Sequence, residues 1–341
     1  MRTEAPVGER TSIAWTDTTW NPVRGCSRVS EGCRNCYAER QAARFSDHGQ
    51  YAHGFVERTP SGPRWTGKVE LVPEKLDEPL GWLKPRRVFV NSMSDLFHEA
   101  LPFEAIDMVF AVMALAWWHT FQVLTKRPER MREYMADRGA DERTARASLS
   151  FRPMETLAGV DRSLGTCGWD PWPRPNVWLG VSVEDQATAD ERIPLLMETP
   201  AAVRFLSCEP LLGPVDVSGF MWPVHDRWPS QYRTASEARA DGAVVTRHRQ
   251  GAVLAGTPFV KWVIAGGESG PKARPCDVAW ILSLVEQCRE AGVPAFVKQL
   301  GARPEAMHAN GVNMTTLRLK DAKGADPSEW PEDLRVQEFP A

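Results

Sequence analysis

The sequence predicts an α/β fold built on parallel strands, and three observations carry that reading. Short runs of apolar and β-branched residues recur, each ending in polar ones: "RRVFVNSMSDLF" (86–97), "HTFQVLTKRP" (119–128), "NVWLGVSVED" (176–185), "VRFLSCEPLL" (203–212), "KWVIAGGESG" (261–270) and "PAFVKQLG" (294–301). Continuous apolar runs of this length suit strands buried on both faces. Helical patterns lie between several of them, and alternation of this kind points to strand–helix–strand units. Finally, polar residues gather at the carboxyl ends of successive strands, where both barrels and open sheets bind ligands. A full or partial barrel and a doubly wound sheet all satisfy the pattern.

Each element has its own justification. Over 104–118, Ile106, Val109, Phe110, Met113, Ala114 and Trp117 share one helical face. A helix over 186–198 is expected despite Pro194, which weakens its later turns. Residues 277–291 have Asp277 as N-cap, a stripe of Ile281, Leu284, Val285 and Cys288, and Gly292 and Pro294 as stop signals. The strand-end polar set is Ser92, Ser94, Asp95, Lys126, Arg127, Ser182, Glu184, Asp185, Glu209, Glu268 and Ser269. Three stretches break the alternation, at about 46–85, 139–175 and 213–260, and read as long rim insertions in one body over 11–301. The extension over 302–341 has little periodicity and either wraps the barrel or lies loose.

Composition narrows the class. The 341 residues are 43% hydrophobic and 25% charged, as in ordinary globular proteins. Such a length buries roughly three quarters of its unfolded surface without disulfide staples. A net charge of −3 gives no general basic field for nucleic acid but leaves room for a local basic groove. The longest apolar run, "IDMVFAVMALAWW", is interrupted by Asp107 and reads as a core helix, so no membrane association is expected. No signal peptide is evident at the start, and seven scattered cysteines suit a reducing compartment, so the expected location is cytoplasmic. The fourteen tryptophans read as core and rim packing.

The segment "WNPVRGCSRVSEGCRNCYAER" (20–40) carries Cys26, Cys33 and Cys36 in the spacing C-x6-C-x2-C. A structural zinc site wants four ligands, for which His48, His53 or Cys167 would have to supply the last. An iron–sulfur cluster is held by thiolates, normally four. Three would leave one iron of a [4Fe–4S] cluster open to bind something else. A ligand-free arrangement is the third alternative. Of the other cysteines, Cys288 falls on an apolar stripe, Cys208 lies within a strand run, and Cys276 precedes a helix, where thiol pKa can fall. "AGGESG" (265–270) lacks the Gly-Lys-Ser/Thr ending of a phosphate loop.

"NPVRGCSRVSEGCRNCYAER" resembles the cluster loop of radical S-adenosylmethionine (SAM) enzymes, most of all the spore photoproduct lyase-like branch. Three additional residues separate its first two cysteines relative to the usual C-x3-C-x2-C, and in this it is similar to a phage-associated three-cysteine-motif family. The resemblance continues through "NSMSDLFHE", "LTKRPERM", "LGVSVEDQ", "FLSCEPLLGP" and "IAGGESGPKARP". It implies a partial (β/α)6-type barrel and a [4Fe–4S] cluster on Cys26, Cys33 and Cys36. It also implies SAM on the open iron, reductive SAM cleavage, and hydrogen abstraction from a substrate. Ser94 and Asp95 would hold the SAM amino group, Lys126 its carboxylate or the cluster, and Ser182 and Glu184 the ribose. His98, Glu209 and Glu268, with Arg274 and Lys298, are substrate-side candidates. Implied partners are an external electron donor such as flavodoxin or ferredoxin, a nucleobase or nucleic acid contacted by Arg86, Arg87, Lys126, Arg127 and Arg130, or a partner protein encoded nearby. The bland alternative is a zinc-binding interaction module.

Overall fold

A computed structural model describes residues 11–151, 172–221, 245–248, 251–254, 259–307 and 314–340. The chain divides into two compact units, one running to Val181 and including Thr199–Val203, the other holding Ser182–Glu198 and Arg204–Ala341.

In the first unit come β1 (Thr18–Trp20), β2 (Val23–Arg24), α1 (Tyr37–Ala42), β3 (Val56–Thr59), β4 (Gly62–Trp65), β5 (Glu70–Leu71) and β6 (Arg87–Val90). They are followed by α2 (Phe103–Leu115), β7 (Thr120–Thr125), α3 (Pro128–Ala136), α4 (Ala140–Ser148) and β8 (Val177–Ser182). Strands β1, β6, β7 and β8 pair in that order, all parallel, with Trp20, Val90, Val123 and Leu179 in register. Side chains alternate across a strand, so these four share a face, and all are fully buried. The other face carries Thr19, Phe89, Gln122 and Trp178, of which Thr19 and Trp178 keep partial exposure. Helix α2 is buried almost all round, including Ile106, Val109, Phe110 and Met113. Asp107, which interrupts its apolar run, is satisfied by the Tyr134 hydroxyl at 2.8 Å and the Arg143 Nε at 2.9 Å.

The second unit contains α5 (Gln186–Glu198), β9 (Val203–Cys208), α6 (Ser218–Met221), β10 (Val245–His248), β11 (Gly251–Leu254) and β12 (Val260–Gly266). After these come β13 (Cys276–Asp277), α7 (Val278–Ala291), β14 (Ala295–Gln299), β15 (Pro304–Met307) and β16 (Met314–Thr316). Strands β9, β12 and β14 pair in that order and in parallel, with Leu206, Val263 and Ala295 in register. Helix α7 begins where Asp277 accepts a bond from the Ala279 amide and ends at Gly292, whose φ of 66° is the left-handed stop a glycine favours. Its stripe of Ile281, Leu284, Val285 and Cys288 is buried. Helix α5 runs to Glu198 with Pro194 inside it.

Seven parallel strands, four in one unit and three in the other, make this an α/β protein with the strands of a partial barrel. The strand beyond the expected six is β1, whose three residues are too short to register as an apolar run. The described parts of the three insertions hold β3–β5, α4, and α6 with the antiparallel β10–β11 pair. The C-terminal extension is docked: Val297 N bonds the Val336 carbonyl at 2.8 Å and Trp262 Nε1 bonds that of Glu338 at 2.9 Å. Phe339 completes an aromatic cluster with Trp262 and Phe296.

Candidate functional site

The cysteine loop is set by its neighbours before any thiol is considered. Gly25 has φ of 84°, and a Cβ there would lie 1.9 Å from the Lys68 carbonyl oxygen. Both the left-handed backbone and this close approach demand glycine. Gly25→Ala is expected to cost at least about 2 kcal/mol, strain and clash together, visible as a fall in the thermal midpoint of the metal-free chain. Upstream, Val23 is clamped from the end of β6: its amide bonds Asn91 Oδ1 at 3.3 Å and its carbonyl accepts from Ser94 Oγ at 2.8 Å. Asn21 Oδ1 accepts from Ser92 Oγ and the Met93 amide. Downstream, the buried Glu39 of α1 takes Arg28 in a forked ion pair, Nε to Oε1 at 2.9 Å and Nη2 to Oε2 at 2.5 Å. Such bidentate pairs fix geometry as well as charge.

The loop's first cysteine is anchored through its neighbour, Ser27. Arg127, at the end of β7, is buried and donates to Ser27 Oγ at 2.7 Å and to the Ser27 carbonyl at 3.2 Å. The same guanidinium pairs with Asp95 Oδ2 at 3.1 Å and Glu99 Oε2 at 2.7 Å. Asp95 further accepts from Thr125 Oγ1 at 2.7 Å, the Phe97 amide at 3.0 Å and the Lys126 amide at 3.2 Å. Its acceptor positions are thus taken within the chain, which makes Asp95 an organiser of Arg127 rather than a bare carboxylate. His98 Nδ1 accepts from the Ala100 amide at 3.1 Å, so Nε2 carries the proton and donates to Ser27 Oγ at 2.8 Å. Burial, then the Arg127 charge, holds His98 below its ordinary pKa and so neutral.

Cys26, Cys33 and Cys36 are free and partly buried. Cys33 closes a 3-10 turn and Cys36 caps α1 with no side-chain cap bond of its own. Desolvation, then the field of Asp95, pushes Cys26 up to about 12 against the pull of Arg127, with Cys36 and Cys33 adding to the rise. Cys36 is raised by desolvation first, with Glu39 and Cys33 contributing. The three sulfurs therefore lie within one another's electrostatic reach. Among the described residues, no three His, Cys, Asp or Glu side chains form a group that could hold a metal ion. Ligands of a single ion must converge on one point, whereas thiolates of an iron–sulfur cube bind separate corners and need only surround it. Three soft sulfur donors on one braced loop, none of them in a disulfide, have the donor chemistry of the cube. His48 and His53 pack edge-on with each other at 5.1 Å, and Cys167 lies outside the described residues.

The remaining candidates belong to the second unit or to other roles. Ser182 and Glu184 are buried, and Arg192 Nη1 bonds the Ser182 carbonyl at 2.9 Å and both Glu184 oxygens at 3.2 and 3.0 Å. Glu209 pairs with Lys298 at 3.2 Å and accepts from Ser207 Oγ. Glu268 is buried and gripped by the Arg274 side chain and amide, at 2.6, 3.0 and 2.8 Å. Cys208, Cys276 and Cys288 are buried, with burial as the main cause of their raised thiol pKa values; this removes the activated reading of Cys276.

Four of the five basic residues expected to meet phosphate are otherwise employed. Arg127 is in the ion-pair network above, Arg87 pairs with Asp17 at 2.9 Å, Arg86 lies over the Trp82 ring, and Arg130 bonds the Leu101 carbonyl over Phe103. Sequence reasoning also missed Ser27, Glu99, Thr125 and the Arg28–Glu39 pair, whose partners are distant in sequence. Asn91 was missed as well; its φ is 59° and its buried Nδ2 has no hydrogen-bond partner. A positive φ at a non-glycine is a local signal, but only structure reveals it.

A family model described as "Protein of unknown function (DUF5131)" matches residues 10–327, and the chain belongs to that family. No curated protein and no solved structure matches it.

Proposed function

We propose that this member of the family is a radical SAM enzyme in which Cys26, Cys33 and Cys36 hold a [4Fe–4S] cluster and leave one iron for S-adenosylmethionine. The observation that carries the proposal is the trio of free thiols on one loop, braced by Arg127 through Ser27 and by Arg28 through Glu39. Bound there, the cluster supplies one-electron reduction of the SAM sulfonium and the carbon-radical chemistry that follows.

The chain's own residues supply position and charge. Arg127 sets a permanent cation beside Cys26 and opposes the cost of thiolate there. Ser94, Asp95 and Lys126, at the ends of β6 and β7, are the residues that support SAM, Asp95 through the groups it orders. His98, neutral and hydrogen-bonded to Ser27, holds the loop and carries no charge of its own. Glu184, Glu209 and Glu268 each come with a cation, Arg192, Lys298 and Arg274; the first pair is wholly buried, and the other two keep partial exposure through Lys298 and Arg274 as neutral hydrogen-bonding pairs for a ligand. The expected reductant is a flavodoxin- or ferredoxin-like protein, the expected substrate a nucleobase or nucleic acid, and the expected place the cytoplasm. Among the described residues, no helix is long and apolar enough to cross a membrane.

Anaerobic reconstitution with iron and sulfide tests the proposal. The expected product is a brown protein with about four irons per chain that releases 5′-deoxyadenosine from SAM under a strong reductant. One zinc per chain with no visible absorption would replace this reading with the zinc module. A cluster that binds SAM and never cleaves it would leave a degenerate barrel without the chemistry.

A further inference from the structure

Helix α1 and the turn after it carry a feature that the cysteine site does not use. Arg40 lies in α1 and Arg44 in the 3-10 turn Ala43–Phe45 that follows it directly. Together with Arg58, Thr59, Gly62 and Pro63 of the β3–β4 hairpin they line an open groove of about 410 Å³. Neither Arg40 nor Arg44 has an ion-pair or hydrogen-bond partner among the described residues. Arg58 reaches the Ala43 carbonyl at 3.1 Å and, through an exposed contact of 3.4 Å, Asp47. Between residues 40 and 64 there are four arginines and two acidic residues, in a chain whose net charge is −3. Three of those arginines, Arg40, Arg44 and Arg58, line this groove.

Two exposed aromatic rings lie on the chain just beyond the lining residues. Phe45, next to Arg44, is 48% exposed, and Tyr51 is 49% exposed, with ring centroids 5.4 Å apart. Aromatic rings in water beside unpaired guanidinium groups are the combination that binds single-stranded nucleic acid: cations track the backbone and rings stack on bases. Glutamate side chains have no ring to stack on Phe45 or Tyr51, so a poly-glutamate ligand would use the arginines alone.

We propose that the groove lined by Arg40, Arg44 and Arg58, together with Phe45 and Tyr51 just beyond the lining residues, binds single-stranded nucleic acid. The inference is independent of the metal-site reading, since none of these residues is a cysteine or a brace of the cysteine loop.

The test uses the full chain with no iron added and a fluorescein-labelled oligothymidylate of about 15 nucleotides, comparable to single-strand site sizes. Binding measured by anisotropy is expected to weaken with salt. R40A/R44A should weaken it at least tenfold at low salt and reduce the log–log salt slope by about 1.4, at about 0.7 for each phosphate no longer neutralised. Arg40 lies in α1, where alanine favours helix, and Arg44 in the short 3-10 turn after it with no side-chain bond to lose, so circular dichroism should be unchanged. F45A should weaken binding roughly fivefold or more while leaving the salt slope intact, the mark of lost stacking. Poly-glutamate competing as well as the oligonucleotide, with F45A neutral, would assign the groove to an acidic polypeptide and overturn the proposal. An absence of oligonucleotide binding, or a tighter grip on duplex of equal length, would overturn it too. Failure to load iron would leave these measurements unchanged.

Discussion

Serine in place of Cys26, Cys33 or Cys36, one at a time, is expected to strip the iron from reconstituted protein and to take SAM cleavage below detection. The reason lies in donor chemistry. A serine hydroxyl is a hard and far more basic ligand than a thiol, and iron–sulfur clusters are held by soft thiolates. A trio has no redundancy: with two sulfurs left, the cluster would be anchored at half its corners. Iron per chain should fall from about four toward zero, with loss of the visible absorption. Cys288→Ala is the control, because Cys288 sits in the second unit against the Met221 sulfur at 3.6 Å, on the buried stripe of α7. If Cys36→Ser retains full iron and colour, the trio is not the cluster's cradle.

The second large effect is on stability. Arg127→Ala is expected to lower the unfolding free energy by about 3–5 kcal/mol, the usual cost of removing one partner of a buried pair. Asp95 would stay buried with its strongest partner gone, and Ser27 would lose two donors. Urea unfolding followed by tryptophan fluorescence reads the loss. Arg127→Lys should recover only part of it, since one ammonium cannot serve Asp95, Glu99 and Ser27 in the fork that guanidinium provides. A change under about 1 kcal/mol would demote the pair to the level of a surface salt bridge.

How much of this was readable in the sequence differs by element. The parallel strands announced themselves because burial on both faces leaves continuous apolar runs, as in "VRFLSC" of β9. Helix α7 was legible to the residue, since Asp277 and Gly292 act locally. Strand β1 escaped because three residues hold no periodicity, and α4 because it lies in a stretch that read as an insertion. The cysteine spacing was visible; its bracing was not. Arg127 and Ser27 lie 100 residues apart, and no local pattern tells a buried, triply engaged arginine from one that meets phosphate. The reverse error hid Arg40 and Arg44, which look like ordinary surface charge until the hairpin is laid beside them. The division into two compact units likewise depends on distant contacts.

The bracing of the cysteine loop has a consequence for how the protein matures. Its ties run through guanidinium, carboxylate and backbone groups, none of which is sulfur. On the proposed reading, the polypeptide would finish folding with the loop already held and receive the cluster afterwards. Chains prepared without iron should then resist trypsin at Arg28, which the Glu39 fork holds, as well as reconstituted ones do, and on the proposed reading oxidative loss of the cluster should be repairable by reloading without passage through a denatured form.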